Sequence, residues 1–223
     1  MTRVFKLVTA AAAIVLSACA ASPKPADWQL EAKSSLERAV NAYLEGNSRI
    51  EAAEIARARR EISSTGRVDL MARAELLSCA SRVASLVLEP CAGFEKLRQD
   101  APPAERAYAD YLAGVLLPQD VALLPKSQQI GAQAAITGAQ AAIDSIADPL
   151  VDPLSRLIAI GVAFQAGKAS PAAVQAAVDT ASAQGWRRPL LAWLGVQLAL
   201  AEKSNDSAEA ARLQRRIALT LRP

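Results

Sequence analysis

The chain contains no histidine. That absence removes the commonest general base and the commonest zinc ligand together. A Ser-His-Asp or Cys-His centre cannot be assembled, nor can a zinc hydrolase of the usual ligand set. Aromatic residues are scarce, at 4% against 52% hydrophobic residues in total, so the core has to be built from Ala, Leu, Val and Ile. Runs of β-branched residues are few, and alanine and leucine are strong helix formers. The composition predicts an all-α protein. A large charge excess is also missing: the formal net charge is +3, and Arg3 and Lys6 at the extreme N-terminus supply part of it. Without a basic surface, nucleic-acid binding loses its electrostatic footing. Neither of the most apolar stretches, Leu7 to Val15 and Leu190 to Leu200, is long enough to span a bilayer. At 223 residues the chain can nevertheless bury a core that needs no metal or disulfide scaffold.

What is present begins with an export pattern. Arg3 and Lys6 form a short positive head, and the apolar run from Leu7 to Val15 follows. Next comes Leu16-Ser17-Ala18-Cys19, which resembles the lipobox of bacterial lipoprotein signal peptides. The chemistry accounts for the residue types. A thiol takes the diacylglyceryl thioether, and small side chains let the cleaved strand lie flat in a membrane-embedded protease. The resemblance implies removal of residues 1–18 and a lipidated Cys19 as the mature N-terminus. The competing reading takes Ala18-Cys19-Ala20 as an ordinary A-x-A cleavage site that releases a soluble protein. Ala20 follows the cysteine where many enterobacterial lipoproteins retained in the inner membrane carry aspartate, which implies the outer membrane, facing the periplasm. Ala20 to Asp27, with Pro23 and Pro25, reads as a tether that reaches at most about 26 Å. The folded body, residues 28–223, is expected close to the membrane, as one helical domain or two packed halves, 28–100 and 101–223.

With Cys19 assigned to lipid, Cys79 and Cys91 remain as an even pair in an oxidising compartment. A disulfide is expected, and two separately buried thiols are the alternative. Twelve residues of continuous helix would separate the two α-carbons by about 18 Å, beyond the roughly 7 Å that a bridge allows. The helix carrying Cys79 must therefore end and the chain must double back before Cys91. Glu89-Pro90 favours that return, because the residue before a proline avoids the helical region.

Periodicity and punctuation place the helices. One runs from Trp28 to Gly46-Asn47, a second from Ser48 to about Ser64, and a third from near Asp69 through Cys79. The mixed charges between Arg49 and Arg82 read as solvated helix faces. Pro102-Pro103 opens a further helix, and Pro118 and Pro125 leave room for a single turn between them. Gly131-Ala132-Gln133-Ala134-Ala135-Ile136 then recurs as Gly138-Ala139-Gln140-Ala141-Ala142-Ile143. A helix of that sequence has little side-chain bulk and lets a neighbour approach closely, as a docking seam or as an ordinary tight contact within a bundle. The stretch is also similar to a Gly-Ala-containing segment of lytic transglycosylases, but their catalytic Glu-Ser is not found upstream. Asp152-Pro153 and Ser170-Pro171 cap two more helices, Leu190 to Leu200 is expected as a buried central helix, and Asn205-Asp206-Ser207 caps the last.

These helices pair at a spacing that resembles tetratricopeptide repeats. Leu191, Leu194, Gly195 and Leu198, followed by Ala208 and Ala211, resemble that pattern best. Ile160-Gly161, Phe164 and Gly167 with Ala177 and Ala181 are a looser match, as are Tyr43, Gly46 and Ala53. No pair carries the full Trp-Leu-Gly-Tyr set, and residues 90–130 fit no repeat. The expected fold is all-α, made of antiparallel helix pairs that form a TPR-like right-handed solenoid or an irregular helical bundle.

The resemblance to TPR-like lipoproteins implies a membrane-anchored scaffold that binds envelope proteins or peptides, with no cofactor, no metal and no catalysis. Tyr43, Asn47, Arg57 and Arg60 on the first two helices are the candidate partner-binding residues, because Tyr and Arg are enriched at binding hot spots. The rival class is an envelope enzyme or small-ligand carrier acting on cell wall. Its candidate carboxylates are Asp110, Asp120, Asp144, Asp148 and Asp152, each better explained as a cap or a solvated turn residue.

Overall fold

The computed structural model of the chain describes residues 25–148 and 152–222. Cys19 and the leader lie outside the described residues. Among the described residues there are eleven α-helices and one 3-10 segment, and no strand. The all-α expectation holds.

The first three helices are α1 (Asp27–Glu45), α2 (Ser48–Ser63) and α3 (Val68–Ala84). Gly46 ends α1 in the left-handed conformation, at φ 92°, where a side chain would be strained. Asn47 then starts α2, its side chain accepting from the Ile50 N–H at 3.2 Å. The two-residue turn makes α1 and α2 antiparallel, and the ion pairs Arg38–Glu54 and Arg57–Glu31 cross between them at 2.9 and 3.2 Å. After α3 the chain reverses through Leu86, which sits at φ 59° while Val87 N–H closes back onto the Arg82 carbonyl. Cys79 and Cys91 thereby come to disulfide distance, with α-carbons 5.8 Å apart. The helix runs five residues beyond Cys79 before the required return.

A short α4 (Ala92–Glu95) leads to α5 (Pro103–Leu112) and the 3-10 segment Pro118–Leu123. The duplicated Gly-Ala stretch does not form one helix. It divides into α6 (Lys126–Thr137) and α7 (Gln140–Ile146), because Gly138 takes φ 65° and caps α6. The second copy of the motif therefore starts as a turn. Its first copy makes the tight contact that its small residues permit. Gly131 has no room for a Cβ, which would meet the Tyr111 hydroxyl at 2.5 Å and Ala159 Cβ at 2.6 Å.

The last four helices are α8 (Pro153–Gln165), α9 (Pro171–Ala183), α10 (Arg187–Lys203) and α11 (Ser207–Thr220). Asp152, Ser170 and Asp206 each accept from a first-turn N–H, caps worth about 1 kcal/mol apiece. The central helix is α8, and this corrects the expectation for residues 190–200. Every residue from Arg156 to Ala163 is buried, and α8 packs on α3, α6 and α9. In α10 the inward stripe is Pro189, Trp193, Leu194 and Ala201, whereas Leu200 is 45% exposed and Gly195 has open space beside it. Gly161 of α8 lies against the Val83 carbonyl of α3, and Trp193 donates from Nε1 to the Ala84 carbonyl at 3.0 Å. Trp193 also meets Phe164 edge-on at 5.6 Å between ring centroids.

The penultimate helix packs against the first described helix, α10 on α1. Successive pairs are antiparallel, but they do not form an open superhelix with separated ends. An irregular helical bundle describes the arrangement.

Candidate functional site

Helix α1 presents Trp28, Ala32 and Leu36, spaced four apart and so aligned on one face. Helix α3 presents Leu70, Ala74 and Leu77, spaced four and three apart. The two stripes face each other across an apolar groove of about 520 Å³, floored by Ile62 of α2 and rimmed by Lys33, Glu37 and Arg67. Ala32, Ile62 and Ala74 are buried beneath it, while Leu36 and Leu70 pack against them only in part. The groove is lined by Trp28, in the first turn of α1.

A second lobe of about 550 Å³ continues on the other side of α3, between that helix, α5 and the 3-10 segment. Leu76, Tyr108, Leu123 and Leu124 line it, and Arg73 and Leu77 line both lobes. A trough thus crosses three helices, with Arg73 at its midpoint. Arg73 donates from Nε to Glu105 Oε1 at 2.5 Å, and Glu105 is only 6% exposed whereas the Arg73 side chain is 63% exposed. Glu105 Oε2 is buried without a hydrogen-bond partner. Burial raises the Tyr108 hydroxyl well above the ordinary tyrosine range. At the opposite rim, a hydrogen bond from Arg67 holds the Asp69 carboxyl down at about 2.

The residues expected to bind partners lie elsewhere and do different work. Tyr43 is buried at 4% exposure, with the Arg188 guanidinium 4.3 Å and that of Arg82 4.9 Å from its ring centroid. Glu51 accepts from Arg82 at 2.8 Å and pairs with Arg188 at 3.5 Å, so these charges form a half-buried cluster. That corrects the solvated face expected around Glu51, and it places the buried Tyr43 among these charges. Asn47 is spent on the α2 cap, and Arg57 pairs with Glu31 of α1. Arg60 is exposed on α2. These four residues do not converge on one surface, because Tyr43 turns inward toward α3 and α10.

The candidate carboxylates are also dispersed. Asp110 accepts from Arg98 at 2.9 Å, Asp144 from Gln140 at 2.7 Å, and Asp152 from the Ser155 N–H. Asp120 lies half-buried in the 3-10 segment and Asp148 ends the α7 region exposed. None of the five lines either lobe of the groove. Among the described residues no group of three or more acidic or cysteine side chains is placed to hold a metal ion, and no helix is long and apolar enough to cross a membrane. No protein-family model, no curated protein and no solved structure matches the chain.

The groove residues missed by the sequence reading are Leu36, Arg73, Leu77, Glu105 and Tyr108. The available signal was the spacing of Trp28, Ala32 and Leu36, one residue per turn on a helix whose opposite side also carries apolar positions. That second stripe has no helix covering it.

Proposed function

We propose that the protein is a lipid-anchored helical scaffold of the bacterial envelope, and that the trough over α1, α3 and α5 is its binding surface for other polypeptides. The observation that carries this reading is the junction of two apolar lobes at Arg73 and Leu77. Together they make one apolar surface across three helices, the kind of surface on which an extended or helical segment docks. The Leu16-Ser17-Ala18-Cys19 stretch supports the anchor, and two or three acyl chains on Cys19 hold a protein stably where one alone is marginal. The outer membrane, facing the periplasm, is the location that Ala20 favours. A short tether keeps the trough near the membrane, where partners are concentrated. In this reading the protein catalyses nothing, and its carboxylates serve as caps and ion pairs.

The experiment pairs two variants of the full chain in its own envelope. Cys19→Ala should leave residues 1–18 uncut and release acylation, read by intact mass and fractionation. Leu70→Asp should remain acylated, folded and membrane-bound but lose its co-purifying partners. Retention of the same partners by Leu70→Asp would refute the trough as the binding surface.

A further inference from the structure

Glu105 is the one residue along the trough whose hydrogen bonding is half finished. One carboxylate oxygen takes the Arg73 Nε–H, and the other, Oε2, is buried with no donor. Leaving a buried acceptor of this kind unsatisfied costs about 1–3 kcal/mol, more for a charged group. Glu105 lines the second lobe, and its partner Arg73 lines both. Arg73, which holds the other oxygen, is a long side chain and 63% exposed, so it can shift to admit a second donor while keeping its own bond. Arg106 of the same helix is committed elsewhere, donating to the Ala101 carbonyl, and supplies nothing to the orphan oxygen.

From this juxtaposition we infer that the trough's occupant is an apolar polypeptide segment carrying one lysine or arginine, whose side chain donates to Glu105 Oε2 while its flanking apolar side chains fill the two lobes. The inference rests on the binding-scaffold reading above and adds the chemistry of the partner. An ionised donor suits the site better than a neutral one, because a hydrogen bond between charged groups in a water-poor setting is roughly twice as strong as a neutral pair. An acidic residue in the same place would meet the carboxylate in an apolar surround and be rejected. The apolar lobes then supply affinity, and Glu105 supplies selectivity.

The test uses the full lipidated chain in phospholipid nanodiscs and three labelled leucine–alanine peptides that differ only in a central Lys, Gln or Glu. Binding is read by fluorescence anisotropy, with empty nanodiscs subtracting partition into lipid. The Lys peptide is expected to bind at least about tenfold more tightly than the Glu peptide, with Gln between them. Glu105→Gln should bring the Lys and Gln peptides within about twofold of one another, and Glu105→Asp should keep part of the preference. Circular dichroism melts establish that each variant is folded; should Glu105→Gln not fold, the three-peptide comparison on the unaltered chain decides alone. Equal binding of all three peptides, weakened together by Leu70→Asp, would overturn the role of Glu105 and leave the trough as a binding surface. Binding that Leu70→Asp does not weaken, or no binding of any peptide, would overturn both. Native mass spectrometry of the same sample that finds the trough filled by phospholipid, or by a second copy of the chain, would overturn the inference in favour of that occupant.

Discussion

Arg188, near the start of α10, lies over the ring of Tyr43 in α1 with its guanidinium carbon 4.3 Å from the ring centroid. Arg82 of α3 approaches the same ring at 4.9 Å, and Glu51 pairs with both arginines. Four helices are tied at one point, and the penultimate helix is fastened to the first described one. Arg188→Ala should destabilise the protein by about 1–3 kcal/mol, since Glu51 loses one of its two cations and the ring loses one face of its clamp. Tyr43→Ala should cost about 3–5 kcal/mol through the cavity it leaves. Urea unfolding measures both, and neither variant should change peptide binding at the trough, whose lining includes neither Tyr43 nor Arg188. A loss of binding without a loss of stability would restore Tyr43 as a partner contact.

Two glycines predict opposite outcomes for the same substitution. At Gly161, in the buried α8, an added Cβ would stand 2.6 Å from the Val83 carbonyl oxygen and 3.2 Å from Val83 Cγ1. Backbone cannot give way cheaply, so Gly161→Ala should destabilise by about 1–3 kcal/mol. At Gly195, in α10, nothing lies within 4 Å. Gly195→Ala should stabilise by roughly 0.5–1 kcal/mol, because alanine has the better helix propensity. Melting temperatures that move the same way for both would contradict the packing of α8 on α3.

Tyr108 and Tyr111 make stability fall in alkali. Burial raises both hydroxyls above their ordinary range, and Tyr111 is pushed further by its neighbour Tyr108. The unfolded chain releases these protons from about pH 10 while the folded chain keeps them. The folded state therefore binds more protons there, and unfolding becomes easier as pH rises. Stability from these groups should be flat between pH 7 and 9 and decline above about pH 10. Tyr111→Phe should weaken that decline. At pH 7 it should also cost about 1–3 kcal/mol, because Gln128 Oε1 accepts from Tyr111 at 2.9 Å and would be left buried. Urea titrations at both pH values compare the two proteins, and an unchanged alkaline slope in the variant would refute the assignment.

Cys79 and Cys91 should be linked in protein taken from its own envelope. Peptide mass spectrometry without reduction is expected to find the joined pair, and reduction should cost on the order of 3 kcal/mol. Two free thiols would contradict the bridge.

The local punctuation of the fold was legible in the sequence. Asp152-Pro153, Ser170-Pro171 and Asp206-Ser207 announce helix starts through short-range chemistry, and each side chain caps as expected. Gly138 was not legible as a break, since a glycine within an alanine-rich run is compatible with helix until the chain has to turn. Leu190 to Leu200 is apolar nearly all round, yet only neighbours decide which side is covered, and α8 took the central position. Tyr43 was misread for the same reason: its arginines come from α3 and α10, far along the chain. The trough was hidden because Leu36, Leu70 and Leu77 repeat at the spacing of core positions. A groove wall and a core stripe differ only in whether another helix lies over them.

The most direct measurement is site-specific photocrosslinking in the native envelope, from a photoreactive side chain at Leu70 in the trough and, separately, at exposed Arg60 on the outer helix. The trough reading predicts a discrete polypeptide adduct from position 70 that disappears when Leu77→Asp is added, and none from position 60. An adduct from position 60 alone, with position 70 labelling only lipid or nothing, would contradict it.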